Sequence, residues 1–517
     1  MDTKVKINQL ATGVLGLDEV LGGGLPEFSF NLIAGLPGSG KTTLAHQIMF
    51  ALASPERPAL YFTVLGEPPL KMLRYQQQFE FFDSAAINHS VRFISLSEDA
   101  MTGDLSRVLH RIVEEVASHN PALVFVDSFR SVVETQASGD GAAGHLQQFV
   151  QQLGMLMTSW QATTFLIGEY FSSSDANPVF TVADGLIWLR QNIQRNSMVR
   201  QIEIMKMRGQ PTLPGLHAYR IKTSGIEVYA PPPTLSSMSS LTADMQRVSL
   251  GVAGLDEMLG GGLPRGYSLL VAGPSGSGKS ILAASFLAEG ARCGESGVFA
   301  AFEQQSNQSR NPEVARLIAT GQVSLIDSRD VDLSIDEVMF RLVTEIKRKG
   351  ASRVVLDSLS GFELALAPAF REDFRESLAR LVASLSSAGV TVLLTSELED
   401  RYIDLRFSPY GTAFMTDAII VQRYIEVDSR LLRVMAVVKV RGSAHSNALR
   451  EFSIDADGIR LGNMLPDQDG LLGGRPTRKL NRSSHNGPAQ GTAADVVTGL
   501  SRAPGPDGRP DGLSVSS

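Results

Sequence analysis

Short, continuously apolar runs alternate along the chain with longer segments in which apolar residues recur every three or four positions. In the first half the runs are FSFNLIAG, ALYFTV, ALVFVDS and TTFLIGEY, and the longer segments include SRVLHRIVEEVASH and HLQQFVQQLGMLMTSW. Runs without polar alternation are typical of strands buried on both faces, and helices between them are typical of crossover connections. The pattern predicts an α/β fold in which helices cover a mostly parallel sheet.

The segments DGLIWLRQ and RQIEIMKMRG follow these runs and mix apolar with polar positions. Alternation of this kind favours strands with one solvated face, so we expect antiparallel hairpins at the end of the unit. A parallel sheet followed by terminal antiparallel hairpins is the arrangement of a RecA-type core.

The same unit occurs twice in the chain. The segment VLGLDEVLGGGLP at 14–26 matches VAGLDEMLGGGLP at 252–264 in eleven of thirteen positions. LVFVDS and KMRG have the counterparts VVLDS and KVRG in the same order, at offsets between 230 and 238 residues. A tandem duplication of an α/β domain of roughly 230 residues explains this order and spacing.

Composition sets the domain boundaries. Residues 1–240 form the predicted first domain and end in a proline-rich linker at 230–240, and residues 241–463 form the second. From 464 to 517 the chain is rich in Gly, Pro, Ser and Asp and poor in large apolar residues, so we expect a disordered tail.

Charge and cysteine content narrow the class of protein. The 517 residues carry a formal charge of −7, which disfavours nucleic acid or an anionic membrane as the main partner. Cys293 is the single cysteine, so no internal disulfide can form, and no apolar run approaches the length of a membrane span. We expect a cytoplasmic location.

Each half contains the complete pattern G-x-x-x-x-G-K-[ST], as GLPGSGKTT and GPSGSGKS, directly after an apolar run and before a helical segment. Backbone N–H groups of such a loop surround phosphate oxygens, and the lysine adds a positive charge. Two matches in the same context predict two P-loop NTPase domains that bind ATP. The candidate phosphate-binding residues are Gly35, Pro37, Gly38, Ser39, Gly40, Lys41, Thr42 and Thr43, and Gly273, Ser275, Gly276, Ser277, Gly278, Lys279 and Ser280.

An aspartate ends a buried run in each half, Asp127 at LVFVD and Asp357 at VVLD. Each lies about 80 residues beyond its P-loop lysine, where a carboxylate can hold Mg²⁺ through water while Thr42 or Ser280 supplies a hydroxyl. The alternative for either residue alone is a turn aspartate at a strand end. Because both halves share the placement, we predict Mg²⁺ at both sites.

ATP hydrolysis also needs a carboxylate that orients the attacking water. Glu303 follows the strand GVFAAF in the second half and is the candidate, against the alternative of a solvated loop residue. The equivalent position in the first half is Leu65, and the nearest carboxylate there is Glu67. We therefore expect the first site to bind ATP well and to hydrolyse it poorly unless Glu67 contributes.

The duplicated P-loop unit, the GLDE-x-LGGGLP segments, the KMRG and KVRG pair and the later AHSNALREF resemble the KaiC family of circadian-clock ATPases, from about residue 13 to 461. The resemblance implies two stacked rings in an ATP-dependent hexamer, with nucleotides between neighbouring subunits and slow hydrolysis. It also implies a KaiB-like or other signalling protein as partner, and serine/threonine autokinase activity in the second domain.

The resemblance further implies residues that act across the subunit boundary. In the second domain these are Lys439, Arg441 and His445. The first domain keeps Lys206 and Arg208 but has Thr212 in place of the histidine. A solvated strand with alternating basic residues is the alternative for both sets.

The sequence departs from the family pattern in three places. Gln304 follows Glu303 where the family has a second glutamate, and Ala413 and Phe414 occupy the two phosphorylated positions. Ser408, Thr412 and Thr416 are nearby hydroxyl residues, so autokinase activity stays open. The basic tail segment 473–482 lies where the family's regulatory segment would be.

Two other functions are consistent with parts of the pattern. A RecA- or RadA-like DNA recombination ATPase shares the core, but the duplication and the net charge of −7 argue against it. A non-catalytic scaffold would use nucleotide binding alone to exchange partners.

Overall fold

The computed structural model describes residues 7–64, 69–101, 104–128, 142–170, 178–194, 197–231, 246–302, 311–327, 332–398, 415–427, 429–464, 468–469 and 477–478. Within these ranges the chain forms two α/β units, each built on a nine-stranded sheet. No helix among the described residues has both the length and the apolar character needed to cross a membrane.

The first unit contains eleven strands and seven helices among the described residues. The strands are β1 (Gln9–Leu10), β2 (Leu25–Pro26), β3 (Phe30–Gly35), β4 (Ala59–Thr63), β5 (Val91–Ser95), β6 (Leu123–Asp127), β7 (Thr163–Glu169), β8 (Gly185–Gln194), β9 (Ser197–Met207), β10 (Leu216–Lys222) and β11 (Gly225–Val228). The helices are α1 (Leu17–Leu21), α2 (Lys41–Leu52), α3 (Pro69–Gln76), α4 (Ser97–Met101), α5 (Leu105–His119), α6 (Ala142–Ser159) and α7 (Pro178–Val182).

The second unit repeats this order. Its strands are β12 (Arg247–Val248), β13 (Leu263–Pro264), β14 (Ser268–Gly273), β15 (Gly297–Ala301), β16 (Val323–Asp327), β17 (Arg353–Asp357), β18 (Thr391–Glu397), β19 (Ala418–Val427), β20 (Arg430–Val440), β21 (Arg450–Asp455) and β22 (Gly458–Met464). Its helices are α8 (Ala253–Met258), α9 (Lys279–Arg292), α10 (Pro312–Ala319), α11 (Ile335–Lys349), α12 (Leu359–Ala365) and α13 (Phe374–Ser387).

The two sheets have the same strand order. It is β5-β4-β6-β7-β3-β8-β9-β10-β11 in the first unit and β16-β15-β17-β18-β14-β19-β20-β21-β22 in the second. Neighbouring strands are parallel from the first edge through β3 and β8, or β14 and β19, and antiparallel beyond. The predicted RecA-like fold with terminal antiparallel hairpins is confirmed in both halves.

The P-loop strands are central because they are apolar on both sides. All six residues of β3 and of β14 are buried, and a hydrophobic cluster covers each face of each sheet. Parallel strands covered by helices on both faces have this pattern. It fixes the carboxyl end of each P-loop strand at the edge where ligands bind in open α/β sheets.

The ends of the predicted domains lie partly outside the described residues. Residues 232–240 of the linker are not among them, and the sheet of the second unit continues to Met464. In the segment assigned to the tail, β23 (Gln468–Asp469) pairs antiparallel with β24 (Thr477–Arg478).

Among the described residues, contacts between the two units involve β10 and the residue after β11 in the first unit, and α11 with the segment just before it in the second. The Arg220 guanidinium on β10 donates to the carboxylate of Glu337 on α11 at 2.7 Å and to the carbonyl of Asp332 at 3.1 Å. The rings of Tyr229 and Phe340 lie 5.8 Å apart between their centroids. The Glu337 side chain is only 2% exposed, so this ion pair is largely removed from water.

Candidate active sites

The first P-loop connects the end of β3 to the start of α2. Gly38 and Gly40 have φ values of 76° and 94°, in the left-handed region that favours glycine. A Cβ on Gly40 would lie 2.8 Å from Cδ1 of Ile221, so a side chain there would also meet β10. The loop thus curves around the N-terminal end of α2, as a phosphate-binding loop does.

The second P-loop has the same conformation between β14 and α9. Gly276 and Gly278 have φ values of 74° and 102°, and a Cβ on Gly278 would lie 2.7 Å from Cδ1 of Ile454. Ser280 lines an open cavity of 1190 Å³ between α9, α10 and the turn at 455–458. Of the candidate phosphate-binding residues of this loop only Ser280 lines the cavity, which extends along α9 away from the glycines.

Both P-loop lysines fold back over their own loops. Lys41 Nζ donates to the carbonyl of Leu36 at 2.9 Å and lies 3.8 Å from the carboxylate of Glu169. Lys279 Nζ donates to the carbonyls of Gly273 and Pro274 at 2.9 and 2.8 Å. Burial lowers the pKa of Lys41, while the charges of Glu169 and Asp127 oppose that shift. Each ammonium group therefore lies over its own loop, where the oxygens of a bound phosphate could take the place of the carbonyls as its hydrogen-bond partners.

The candidate magnesium ligands of the first site are in contact. Thr42 Oγ1 donates to Oδ2 of Asp127 at 2.8 Å. Burial raises the pKa of Asp127, and hydrogen bonds from Tyr61 and Thr42 oppose that shift. A hydroxyl beside a carboxylate is an oxygen donor set that suits Mg²⁺, so these residues fit the cation: Thr42 would bind it directly and Asp127 would act through water.

The second site centres on Asp357, whose Oδ1 accepts a hydrogen bond from Thr395 at 2.5 Å. Like Asp127, Asp357 is the last residue of its strand, and its side chain is partly exposed at the edge where the P-loop begins. The carboxylate and the Ser280 hydroxyl are the oxygen donors of this unit that would hold Mg²⁺.

The basic residues after the hairpins lie far from the P-loop of their own unit. The backbone N–H of Arg208 bonds Asp184, whose own N–H bonds Phe30 at the start of β3. Arg441 is linked through Asp417 to Ser268 at the start of β14 in the same way. Phe30 and Ser268 are each five residues of extended strand, or about 16 Å, from the glycine that begins the P-loop of their unit. Arg208 and Arg441 therefore lie at the end of the P-loop strand opposite to the phosphates that their own unit would bind.

Local partners hold these basic side chains at that edge. The Arg208 guanidinium lies 3.1 Å from the carboxylate of Asp184, and Lys439 Nζ donates to the Thr416 carbonyl at 2.7 Å. Lys206 Nζ donates to the carbonyls of Phe180 and Thr181. His445 Nδ1 lies 3.3 Å from the carbonyl of Ser446.

Family comparisons assign both units to one family. The KaiC ATPase family model matches residues 10–232 and again residues 248–465. The chain belongs to the KaiC family. It is 26% identical over 486 residues to circadian clock oscillator protein KaiC of Picosynechococcus sp., covering 91% of this chain and 93% of that protein. It is also 26% identical to KaiC of Rippkaea orientalis, over 92% and 93% of the two chains. KaiC 1 of Synechocystis sp. is 26% identical over 91% and 92%.

Membership in the KaiC family explains why the phosphate loop occurs twice. Both units are KaiC ATPase domains, and the protein is a tandem, nucleotide-binding ATPase. The predicted family resemblance is confirmed over nearly the whole range from which it was inferred.

Several predicted residues lie outside the described parts of this KaiC-family chain. They are Glu303, Gln304, Leu65, Glu67, Ser408, Thr412, Ala413 and Phe414, together with most of 473–482. Of the three nearby hydroxyl residues only Thr416 is described, and it is fully buried. Burial keeps the Thr416 hydroxyl out of reach of a phosphate donor in this conformation.

The structure adds functional candidates that the sequence reasoning missed. Glu169 and Glu397 end equivalent strands and pair with the P-loop glycines Gly35 and Gly273 in the sheet register. The signal was available, because TTFLIGE and TVLLTSE both end in glutamate at the ligand-binding edge. Tyr61 carried no such signal, since a tyrosine within an apolar run is an ordinary core residue.

A buried histidine behind the first site should make stability depend on pH. His46 on α2 is fully buried against the ring of Tyr61, and burial lowers its pKa to about 3. A histidine in the unfolded chain has a pKa of about 6.5, so the unfolded state binds more protons between these values. The contribution of His46 is therefore complete above pH 6.5 and is lost as the pH falls, by up to about 1.4 kcal/mol per pH unit. Urea unfolding at pH 7, 6 and 5 measures this slope.

The matched variant for this measurement is His46→Ile, which keeps the site apolar and removes the titrating group. Its free energy of unfolding should fall less steeply with decreasing pH than that of the parent chain. Equal slopes for the two proteins would contradict the assignment of the pH dependence to His46.

Proposed function

We propose that the protein is an ATP-dependent double-ring hexamer that binds one ATP in each unit, hydrolyses it slowly with Mg²⁺ and acts as a cytoplasmic signalling or timing switch. The observation that carries the proposal is the position of the basic residues. Arg208 and Arg441 lie at the sheet edge opposite the P-loop of their own unit, about 16 Å away along the strand. They can serve a nucleotide only if it is bound by a neighbouring subunit.

In this assembly Lys439, Arg441 and His445 would complete the second site of the neighbour, and Lys206 and Arg208 the first. Cations supplied in trans stabilise charge that develops on the transferred phosphate and make turnover depend on assembly. Burial lowers the pKa of Lys206 and of Lys439, and the adjacent arginine adds to the effect in each case. An incoming phosphate would relieve this crowding of positive charge.

The two sites would have different duties. In the second, Glu303 would orient the attacking water, whereas the first has Leu65 at that position. An aliphatic side chain cannot accept a proton, so the first site would retain ATP and hold the ring together while the second turns over.

The signalling role follows from the relatives, which are named circadian clock oscillator proteins. Slow turnover would change the ring between two states that a signalling protein, KaiB-like or other, distinguishes. Autokinase activity would require Ser408 or Thr412 as acceptor, because Ala413 and Phe414 carry no hydroxyl and Thr416 is buried.

Incubation of the purified chain with Mg·ATP tests the proposal. We expect sedimentation as a hexamer only with nucleotide, slow release of ADP, and a loss of at least about 100-fold in turnover for Glu303→Gln. Intact-mass spectrometry of the same samples detects phosphorylation and locates the acceptor.

Three results have distinct meanings. A chain that stays monomeric and binds no adenine nucleotide at millimolar Mg²⁺ would overturn the whole proposal. Turnover unchanged in Glu303→Gln would replace the catalytic switch by the nucleotide-dependent scaffold. A mass unchanged after incubation would leave an ATPase switch without autokinase activity.

A further inference from the structure

The aspartate of the first site is held from one side by a tyrosine. Tyr61 on β4 is fully buried, and its hydroxyl donates to Oδ2 of Asp127 at 2.7 Å. The same oxygen accepts the bond from Thr42. Oδ2 therefore has two donors, and Oδ1 takes part in neither of these two bonds.

The aspartate of the second site is held from the opposite side. Thr395 on β18 is fully buried, and its hydroxyl donates to Oδ1 of Asp357. In the sheet order β17 lies between β15 and β18, just as β6 lies between β4 and β7. The donor thus comes from β4 in the first unit but from the counterpart of β7 in the second.

The sheet register shows that this is an exchange between equivalent positions. Ile167 pairs with Ile33 of the P-loop strand, and Thr395 pairs with the equivalent Val271, so Ile167 occupies the position of the threonine. Asp127 pairs with Thr63, and Tyr61 lies two residues before Thr63 on β4. Asp357 pairs with Ala301, and Phe299 lies two residues before Ala301 on β15, so Phe299 occupies the position of the tyrosine. Each unit therefore has one hydroxyl and one apolar side chain at the two positions, in opposite order.

We propose that Tyr61 is the positioning residue that orients Asp127 for the magnesium ion in the first site, and that it replaces the threonine that serves the second site. This inference rests on the proposed Mg·ATP sites. A buried carboxylate that loses its donor rotates or recruits water, and such outer partners of a metal site typically affect metal affinity by about 10–100-fold. Tyr61 keeps its bond when the Thr42 hydroxyl turns to the cation, so the carboxylate remains fixed.

The exchange makes the inference testable by rescue. Tyr61→Phe removes the hydroxyl and keeps the ring, so the core around α2 stays filled. Adding Ile167→Thr installs the donor that the second unit uses, at the position where the register shows that it reaches the carboxylate. A role of Tyr61 in packing alone would not be restored by a hydroxyl on a different strand.

The experiment uses the full chain carrying Lys279→Ala, so that the first site dominates binding. A fluorescent ATP analogue is bound at increasing free Mg²⁺, and the half-saturating concentration is compared in the parent, Tyr61→Phe and Tyr61→Phe/Ile167→Thr. We expect an increase of about tenfold for Tyr61→Phe and a return to within about threefold of the parent for the double variant. Binding measured in EDTA should be equal in all three proteins, which separates the metal effect from damage to the fold.

Two outcomes would overturn the inference: an unchanged Mg²⁺ requirement in Tyr61→Phe, or no recovery in the double variant. If the parent binds the analogue but shows no Mg²⁺ dependence, the metal site in the proposed function is wrong and the inference falls with it. If the parent binds no analogue under any condition, the nucleotide site itself is refuted.

Discussion

Lys41→Ala should dissociate the hexamer, whereas Lys279→Ala should leave the ring assembled and reduce ATP turnover by about 100-fold or more. When ATP binds, each lysine ammonium group would exchange its loop carbonyls for phosphate oxygens as hydrogen-bond partners. A hydrogen bond to a charged group contributes roughly 10–100-fold to the affinity for the ligand. In the proposed division of duties the loss is structural at the first site, where Leu65 stands in place of the water-orienting carboxylate, and catalytic at the second, where Glu303 follows the strand. Sedimentation velocity at fixed Mg·ATP and an ADP-release assay measure the two effects.

Lys71→Ala is the matched control, since Lys71 is an exposed residue of α3 in the first unit. It should change neither assembly nor turnover. The reverse pattern, with an intact ring in Lys41→Ala and a dissociated one in Lys279→Ala, would show that the division of duties between the sites is wrong.

Arg220→Ala should weaken the contact between the two units and destabilise the chain by about 2 kcal/mol, because it leaves the buried carboxylate of Glu337 with one fewer partner. Arg341 remains, with its guanidinium 2.6 Å from Glu337, and keeps the cost below that of a fully unpaired charge. For a unit of this size the midpoint of thermal unfolding should fall by about 5 °C. Calorimetry without nucleotide measures the midpoint of thermal unfolding, and limited proteolysis measures how exposed the segment that connects the two units becomes.

Arg341→Ala is the comparison that isolates the contact between units. Arg341 and Glu337 lie four residues apart on the same helix, so this substitution leaves the Arg220 pair in place. We expect a smaller loss of about 1 kcal/mol, because Arg220 also gives up its bond to the Asp332 carbonyl whereas Arg341 gives up only its bond to Glu337, and we expect unchanged proteolysis. Equal destabilisation by both substitutions would mean that Arg220 contributes nothing specific to docking.

Much of the fold could be predicted because its buried strands are continuous apolar runs and because the duplication supplies two independent instances of each. The edge strand β5 was not predicted. Its sequence VRFIS is largely half-buried or exposed, and a short strand of that kind has no distinctive period. An edge strand forms because it pairs with the strand beside it in the sheet, and a local sequence pattern does not contain that information.

The candidate sites show a similar division. The P-loops and the strand-ending aspartates were predictable from spacing, since each is a local feature of one strand and one loop. The hydrogen bonds of Tyr61 and Thr395 were not, because they depend on which strands are neighbours and in what register. The position of Arg441 was not predictable either. Arg441 lies far from the P-loop of its own unit because of the direction of β20 in the sheet, which its sequence motif does not specify.

Strand β10 uses both of its faces. The hydroxyl of Tyr219 donates to the carbonyl of Ser39 in the first P-loop, and the next residue, Arg220, binds the second unit. Successive side chains of a strand point to opposite sides, so a slip of one residue would remove both contacts at once. Insertions or deletions in this part of the chain should therefore be confined to the turns at 208–215 and 223–224, where a change in length leaves the strand itself unshifted.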